Sequence, residues 1–437
     1  MSNVPMTRPE EALAVHDTRY FHSSTFVELE GGRILHAANE TFTTSDDGGI
    51  TWSEESQRRD TNGDGVGGGG TSLVKLSGKG IGLAAMAKGD APRAQSGAVF
   101  WRSEDGGETW EPPVRVTPEG IGMHIYQDVL LRTSAGRLIL PVYLSLGQGM
   151  GPGDVKPPSN GKLVNNQWVS TSAHFFDPHM SITRVYYSDD DGRTWQQNQD
   201  GELFILLDWS TTFSYAAEPS VAEVSPGPLL LMARTGLGRH FQAWSYDDGE
   251  TWTRLQPTAL AASTTPAQIR QIPSTGHLLM VWNQENEEEI KRGYNRTRLS
   301  SAVSRNGGGL WEFFQNIESM HEAARVEPGP IRAVHPAEYH FEPGVSAPER
   351  EPDHVGLYDF HGRWSYPSVF VMKDRVLVTY TYSFYEEHPT KAQLVLSRSR
   401  DGAPNQKLKV LPLSWFYGGK EPADNPFFPS QHEPASP

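Results

Sequence analysis

The sequence predicts an all-β fold: a six-bladed β-propeller in which each blade is a four-stranded antiparallel sheet. Three observations lead to this prediction, namely an eight-residue phrase that recurs five times, a nearly constant spacing between its copies, and a two-strand pattern ahead of them. The composition agrees, because 43 Gly, 32 Pro and 12 Trp in 437 residues favour short strands and tight turns over helices. Repeats of this kind are typical of folds in which each copy contributes one small sheet.

The repeated phrase reads S-x-D-x-G-x-T-W, and Asn306 replaces its aspartate in a degenerate fifth copy. The five copies occupy residues 45–52, 103–110, 188–195, 245–252 and 304–311. The aspartate can accept backbone N–H groups across a tight turn, the glycine can adopt a conformation closed to other residues, and the tryptophan can pack onto its blade. Five copies cannot all line one active site, so we interpret the phrase as structural.

The spacing of the copies indicates the size of a blade. The closing tryptophans are 58, 85, 57 and 59 residues apart, and a period of about 57 residues fits four strands with their loops. The longest interval indicates an insertion at about 147–180, and a second insertion covers about 318–361. Irregular loops of this length usually form functional walls or lids. We therefore predict a single propeller domain over residues 1–437 with two insertions.

A pair of apolar strands around a Gly- or Pro-containing turn precedes the copies of the phrase and indicates a hairpin. The clearest first strands are residues 24–29, 128–131, 219–224 and 269–272. A sixth copy of the hairpin has strands at 366–371 and 376–380, and the phrase behind it has decayed to the stretch 397–402. The predicted number of blades is therefore six.

Charge and composition exclude several classes of partner and cofactor. A net charge of −15 argues against nucleic acid, whose phosphates require a basic face. The absence of cysteine excludes disulfides and thiolate chemistry. The histidines of the two insertions lack a metal-ligand spacing, so we expect no metal and no other cofactor. These histidines are His174, His179, His335 and His340.

The polar N-terminus and the lack of long apolar stretches predict no membrane contact and a cytoplasmic location. A secreted or periplasmic location stays open for a chain whose leader has been removed. The sequence gives no indication of the oligomeric state.

Chemistry in a propeller is expected where the inner strands line the axis, at the hairpin ends away from the turn. In the fourth hairpin, Glu218 and Arg234 each lie eight residues from Pro226 at the centre of the turn. A regular hairpin makes them cross-strand neighbours at its open end. The pair is either part of a binding site or a structural ion pair that orients the two strands.

The run Gly67–Gly70 has no G-K-[ST] continuation and opens no helix, so it does not indicate a phosphate loop. We predict that it allows a close backbone approach at the axial end of the second blade.

The repeated phrase resembles the Asp-box of the sialidase (neuraminidase) superfamily, and five similar copies are a specific match. The resemblance covers about residues 20–402. It implies a six-bladed propeller with the boxes at the rim and the substrate over the axis at the opposite face. The stretch 218–235 resembles the sialidase segment with the catalytic Glu and a carboxylate-binding arginine, and the stretch 365–368 resembles the segment with the nucleophilic Tyr.

The resemblance implies that Tyr366 is a nucleophile and Glu218 its base. The expected substrate is a terminal acidic sugar, whose carboxylate beside the anomeric carbon would repel a carboxylate nucleophile. A tyrosine hydroxyl that is deprotonated by a neighbouring Glu avoids this repulsion and still forms a covalent intermediate.

Arginines that hold the substrate carboxylate in bidentate pairs complete the expected site. The resemblance implies this role for Arg234 and for an arginine shortly before the fifth box. Arg298 is preferred for the second position, and Arg296 and Arg292 are its rivals.

Two parts of the sialidase pattern are missing from this chain. The Arg-Ile-Pro segment before the first hairpin is replaced by a stretch in which His22 stands roughly where the arginine should be, and no aspartate lies between the first hairpin and the first box. His22 is a candidate acid/base because histidine titrates nearest neutrality, although a plain strand residue is the alternative. Asp128 is a second candidate, with a strand-end cap as the alternative, and Glu40 is a third.

These observations predict a sialidase-like exo-glycoside hydrolase that acts on an acidic glycan. Two alternatives stay open: a polysaccharide lyase, in which His22 or Tyr366 removes a proton beside a uronate carboxylate, and a non-catalytic glycan-binding propeller. The scaffold cannot separate them, because function depends on the site.

Overall fold

The computed structural model describes residues 11–18, 24–87, 97–118, 123–146, 161–164, 167–170, 179–205, 213–224, 226–291, 296–331, 360–387, 394–397 and 406–420. Six antiparallel sheets, each built on four strands in series, are arranged as a six-bladed β-propeller. The predicted fold class is therefore confirmed.

The first half of the described chain forms blades one to three. The N-terminal strand β1 (Ala14–Thr18) pairs outside these blades. Blade one consists of β2 (Ser24–Glu28), β3 (Ile34–Ala38), β4 (Thr41–Ser45) and β5 (Ser56–Gln57). Blade two consists of β6 (Ser72–Lys75), β7 (Ile81–Met86), β8 (Ala98–Ser103) and β9 (Val114–Arg115). Blade three consists of β10 (Leu131–Arg132), β11 (Leu138–Leu146), β14 (His179–Ser188) and β15 (Gln196–Gln197). A separate hairpin of β12 (Gly161–Val164) and β13 (Gln167–Ser170) lies between β11 and β14 in the chain. A further strand, β16 (Phe213–Tyr215), runs parallel to β14.

The second half forms blades four to six. Blade four consists of β17 (Ala217–Glu223), β18 (Leu229–Arg234), β19 (Arg239–Ser245) and β20 (Gln256–Ala261). Blade five consists of β21 (Gln268–Gln271), β22 (Leu278–Asn283), β23 (Arg298–Ser304) and β24 (Glu312–Ser319), with the short helix α1 (Glu287–Lys291) between β22 and β23. Blade six consists of β25 (Phe360–Val371), β26 (Arg375–Glu387), the later strand β28 (Gln406–Pro412) and β1, while β27 (Leu394–Ser397) pairs with β26.

Two features close the ring of blades. The inner strands of each blade contact those of the next blade, and β25 of blade six contacts β2 of blade one. The N-terminal strand β1 is also the outermost strand of blade six, where Ala14 pairs with Val410 and Thr18 with Gln406. The propeller therefore extends on both sides of the stretch 20–402 that the sialidase resemblance covers.

The hydrophobic core lies between the blades. The described residues form six apolar clusters, and each cluster draws its members from two adjacent blades. Along β18, Leu229 and Leu231 pack toward blade three, whereas Leu230 and Met232 pack toward blade five. Because both faces of such a strand are buried, its sequence is a continuous apolar run and does not alternate between apolar and polar residues.

The repeated phrase folds as a local hydrogen-bonded turn. The Asp47 carboxylate accepts the backbone N–H groups of Ile50 at 3.0 Å and Thr51 at 2.9 Å, and it also accepts the Thr51 hydroxyl at 2.6 Å. Trp52 Nε1 donates to the Gly49 carbonyl at 3.2 Å. The residue before the invariant glycine has a positive φ in all five copies, and only Gly or Asp occupies it, as the left-handed region requires. The predicted structural role of the phrase is confirmed.

Strand register places the boxes at one end of every blade. In blade four, Glu223 pairs with Leu229 and Leu229 with Ser245, so the first turn and the box lie together. Arg234 lies at the opposite end of β18, where it pairs with Ala217. The boxes are therefore separated from the axial ends that the sequence singled out for chemistry.

The glycine run allows the close backbone approach that the sequence predicts. A Cβ atom at Gly67 would lie 2.1 Å from the Asn39 carbonyl oxygen, and one at Gly70 would lie 2.3 Å from the Ile125 carbonyl oxygen. The run therefore joins blade two to its neighbours on both sides. Among the described residues, no helix has the length and apolar character needed to cross a membrane.

We expect Gly67→Ala to destabilise the protein more than Gly63→Ala. Both glycines have a positive φ, of +102° and +88°, but a Cβ at Gly63 would meet no atom within 4 Å. Gly63→Ala should cost about 1 kcal/mol of unfolding free energy for the left-handed backbone, and Gly67→Ala about 1–3 kcal/mol more for the steric clash. Denaturant titration of the two variants measures the difference, and equal losses would contradict the close approach.

We expect the stabilising effect of Asp47 to disappear in acid. The Thr51 hydroxyl, followed by the Thr51 amide, lowers the pKa of the Asp47 carboxyl to about 2. A carboxyl with a lowered pKa stabilises the fold above its unfolded value of about 4 and loses that effect as the pH falls toward 2. Asp47→Asn should therefore cost about 1 kcal/mol at pH 7 and progressively less below pH 4.

Thermal unfolding of wild type and Asp47→Asn between pH 7 and pH 2.5 tests this expectation. The matched control is Asp46→Asn in the same turn, because Asp46 bonds the exposed Arg33 side chain at 2.6 Å. A difference between wild type and Asp47→Asn that stays constant across this range would contradict the assignment.

Candidate active site

Tyr366 and Glu218 project from equivalent irregularities on two inner strands. The β25–β26 register shifts between Ser365 and Ser368, and the β17–β18 register shifts between Ala217 and Ser220. The backbone φ is +55° at Tyr366 and +43° at Glu218, and a Pro-Ser pair follows each residue. Proline has no N–H for the strand ladder, so the Pro-Ser sequence favours a bulge that turns the preceding side chain out of the sheet.

The two side chains meet although they are far apart in sequence. The Tyr366 hydroxyl donates to Glu218 Oε1 at 3.2 Å. Arg234 Nη1 donates to the Tyr366 hydroxyl at 3.4 Å and forms an ion pair with Glu218 Oε2. The structure therefore brings three of the predicted site residues together. A carboxylate that can accept the phenol proton and a cation that favours the phenolate both contact one hydroxyl group.

Arg234 is completely buried beneath this pair. Arg234 contacts Glu218, as the hairpin predicts for cross-strand neighbours. Because of the bulge, however, the residue opposite Arg234 in the strand register is Ala217. A direct contact between Arg234 and a substrate stays a prediction.

Arg296 is the arginine that lies on the ring of Tyr366. Its Cζ atom is 4.9 Å from the ring centroid, and Nη1 donates to the Ser365 hydroxyl at 3.2 Å. The side chain is partly buried and has a left-handed backbone with φ of +67°. Burial lowers the pKa of the Arg296 guanidinium, the charge of Tyr366 raises it, and the cations Arg363 and Arg234 lower it further. Two arginines, Arg234 and Arg296, thus lie against the hydroxyl–carboxylate pair.

Arg298 faces a different part of blade five from Arg296, and its contact with a substrate stays a prediction. Its Nη2 and Nη1 atoms donate to the two carboxylate oxygens of Glu289 at 2.8 and 3.0 Å, and Nη1 also donates to the Gln284 carbonyl at 2.9 Å. The side chain is buried. Arg296 lies before the first residue of β23 and has a left-handed backbone, so its side chain does not follow the strand alternation that would place it on the same face as Arg298.

Asp128 forms the centre of a buried hydrogen-bond ring around the axis. Oδ1 accepts the hydroxyls of Thr25 at 2.6 Å and Ser72 at 3.4 Å. Oδ2 accepts Arg270 Nη2 at 2.9 Å and the Ser368 hydroxyl at 3.0 Å. Both oxygens therefore receive donors from other blades. These contacts give Asp128 a structural role, and its role as an acid/base stays a prediction.

Several predicted residues lie outside the described part of the chain. They are His22, Arg292, His174, His335 and His340. His179 begins β14, and Glu40 is a partly buried residue in the turn between β3 and β4. Within the described ranges, no group of three or more His, Asp or Glu side chains is placed to hold a metal ion.

A family model described as a BNR repeat-like domain matches residues 82–379. The chain belongs to this family. A curated sialidase of Bacteroides fragilis (strain YCH46) is 26% identical over 221 residues. That alignment covers 49% of the BNR repeat-like chain and 33% of the relative, so the match spans about a third of the relative's length.

Solved structures share the fold of this BNR repeat-like protein at low identity. The K499G mutant of the NanB sialidase from Streptococcus pneumoniae aligns with a TM-score of 0.51 and 12% identity over 94% of this chain and 71% of that chain. An α-L-arabinofuranosidase from Fusarium graminearum aligns with a TM-score of 0.51 and 13% identity over 93% and 99% of the two chains. These likenesses show a sialidase-like propeller.

Backbone conformation is the signal of this site that sequence reasoning missed. Seven non-glycine residues of the described BNR repeat-like chain have a positive φ, and three of them are Glu218, Arg296 and Tyr366. Such conformations persist where the surrounding structure enforces them, and they are common at functional sites. In the sequence, only the matching Pro-Ser pairs after Glu218 and Tyr366 mark two of the three.

We expect Asp128→Asn to unfold the protein at much lower denaturant concentration. The new amide N–H groups would face the donors that now bond the carboxylate, and Arg270 would lose its ion-pair partner. Removing one partner of a buried ion pair lowers the free energy of unfolding by about 3–5 kcal/mol. Ser368→Ala is the matched control, because it removes one hydroxyl from the same carboxylate and should cost about 1 kcal/mol. An Asp128→Asn variant of wild-type stability with lost activity would instead support the acid/base role.

Proposed function

We propose that this protein is an exo-acting glycoside hydrolase that releases a terminal acidic sugar through a covalent tyrosyl intermediate. The observation that supports it best is the 3.2 Å hydrogen bond from the Tyr366 hydroxyl to Glu218, with Arg234 in contact with the same hydroxyl. A nucleophile and its base within hydrogen-bond reach, oriented by a third group, are the expected arrangement for nucleophilic catalysis.

In the proposed first step, Glu218 accepts the phenol proton and the Tyr366 oxygen bonds to the anomeric carbon. The bond from that carbon to the leaving oxygen breaks, and the leaving oxygen takes a proton from a general acid. Arg234 favours this step, because a guanidinium 3.4 Å from the hydroxyl stabilises the developing phenolate charge. In the second step, water attacks the anomeric carbon and gives a proton to the conjugate base of the general acid. The bond from that carbon to the Tyr366 oxygen breaks, and Tyr366 recovers its proton from Glu218.

The general acid of the first step is proposed to be His22. Asp128 is a poor candidate, because Thr25, Ser72, Arg270 and Ser368 donate to its carboxylate. A histidine titrates near neutrality and can give a proton to the leaving group and take one from the attacking water.

Arg296 is proposed as the main contact for the carboxylate of the sugar. It is partly buried and lies over the Tyr366 ring, whereas Arg234 is completely buried and Arg298 pairs with Glu289. A guanidinium keeps its charge at all working pH values and binds a carboxylate bidentately. The repulsion that such a substrate would exert on a carboxylate nucleophile accounts for the use of a tyrosine.

A substrate screen tests the proposal directly. Sialosides, other 2-keto-acid glycosides and uronate-capped oligosaccharides are incubated with the protein, and mass spectrometry follows the gain of one water per cleavage. A cleavage without gain of water would indicate a lyase, and saturable binding without turnover would indicate a glycan-binding propeller. Either result would overturn the proposed hydrolase.

We expect the reaction to depend on the hydroxyl–carboxylate pair. Glu218→Gln should lower kcat by about 10²–10⁴-fold, which is the usual contribution of a general base, and Tyr366→Phe should lower it at least as much. The control is Tyr417→Phe, which removes a tyrosine hydroxyl that bonds His277 Nδ1 at 2.8 Å, away from the site. Full activity in Tyr366→Phe would contradict the tyrosyl intermediate.

A further inference from the structure

Blade five contains a group of buried and half-buried titratable side chains that the proposed reaction does not use. These side chains are Glu285, Glu289, Arg298 and His321. Two of them, Glu285 and His321, contact Thr297, the residue that directly follows Arg296 in the chain. The group therefore lies behind the arginine that is proposed to hold the substrate.

Glu285 forms hydrogen bonds to both the backbone and the side chain of Thr297. Its Oε1 atom accepts the Thr297 backbone N–H at 2.7 Å and the Thr297 hydroxyl at 3.2 Å. The Thr297 hydroxyl also lies 2.9 Å from His321 Nε2, within hydrogen-bond distance. Glu285 and Thr297 have no solvent exposure. Burial raises the pKa of Glu285, and the bond from the Thr297 amide opposes that rise.

The same backbone segment is held on its other side by blade six. The Arg296 carbonyl accepts the Trp364 N–H at 2.9 Å, two residues before Tyr366. Trp364 and Glu285 therefore hold the two sides of one peptide, the one that joins Arg296 to Thr297. Arg296 adopts a left-handed conformation directly before this peptide, with φ of +67°. A long side chain keeps such a conformation only where the surroundings enforce it.

We infer that Glu285 is a positioning residue that holds Arg296 over the Tyr366 ring. The carboxyl touches no reacting atom and acts through the Thr297 peptide. The effect of this positioning on catalysis rests on the proposed function, whereas the effect on the placement of Arg296 is independent of it. Loss of the anchor would let Arg296 leave its left-handed conformation and withdraw the cation from the ring.

Glu223 is a matched control at the other end of the propeller. Its carboxylate accepts the Ser134 backbone N–H at 2.7 Å and the Ser134 hydroxyl at 2.6 Å, and the residue is also buried. The two glutamates therefore make the same kind of contact, one behind Arg296 and one at the box end of the blades.

The experiment compares Glu285→Met, Glu285→Gln and Glu223→Met. Methionine fills a similar volume without a comparable acceptor, and glutamine keeps a carbonyl for the Thr297 N–H. With an acidic glycoside that the wild type cleaves, Glu285→Met should raise KM about tenfold and change kcat by less than about threefold, because a loss of uniform binding appears in KM. Glu285→Gln should restore KM to within about threefold of wild type. Glu223→Met should lower Tm without changing KM.

A crystal structure of the Glu285→Met variant gives a readout that needs no substrate, and Arg296 is expected to leave the Tyr366 ring. An Arg296 that keeps its left-handed φ and its place over the ring would overturn the inference. Equal KM changes in Glu285→Met and Glu223→Met would do the same. If Glu285→Met does not fold, Thr297→Val provides the same readouts with a smaller expected rise in KM. A wild type that cleaves no acidic glycoside refutes the proposed function, and the crystal structure still decides the positioning role.

Discussion

One buried carboxylate at the propeller axis ties the blades together. Asp128 of blade three accepts hydrogen bonds from Thr25 of blade one, Ser72 of blade two, Arg270 of blade five and Ser368 of blade six. A buried charge is tolerated only when it is paired and fully hydrogen-bonded. The ring of blades must therefore close before this carboxylate is satisfied. The six apolar clusters between adjacent blades supply cohesion, while Asp128 specifies how the inner strands meet.

The axial ring and the candidate active site share the same strands. Ser368 donates to Asp128 two residues after Tyr366, and Ser220 accepts the Ile269 N–H two residues after Glu218. Each serine is fixed at the axis, and the bulge before it turns the earlier residue toward the opposite inner strand. The Tyr366–Glu218 contact is therefore a consequence of ring closure. A local change on either strand would disturb it as well as the axis.

The two ends of the blades differ in what their charged groups do. At the box end, carboxylates such as Asp47 bond backbone N–H groups of their own turn, so these contacts are local to each box. At the axial end, charged groups from blades four and five converge on Tyr366 of blade six. The repeated aspartates identify the fold and contribute to stability. The arrangement around Tyr366 occurs once among the described residues, and it breaks the regular strand geometry.

The sequence by itself determined the six blades, the boxes and the placement of Glu218 beside Arg234, because each depends on contacts within one hairpin or one turn. The N-terminal strand of blade six escaped prediction, since Ala14 pairs with Val410 across nearly the whole chain. Only the tertiary structure decided that Arg296 and not Arg298 lies over Tyr366, and that Asp128 joins the blades. Those outcomes depend on backbone irregularities and on donors from other blades, which no local pattern of residue types specifies.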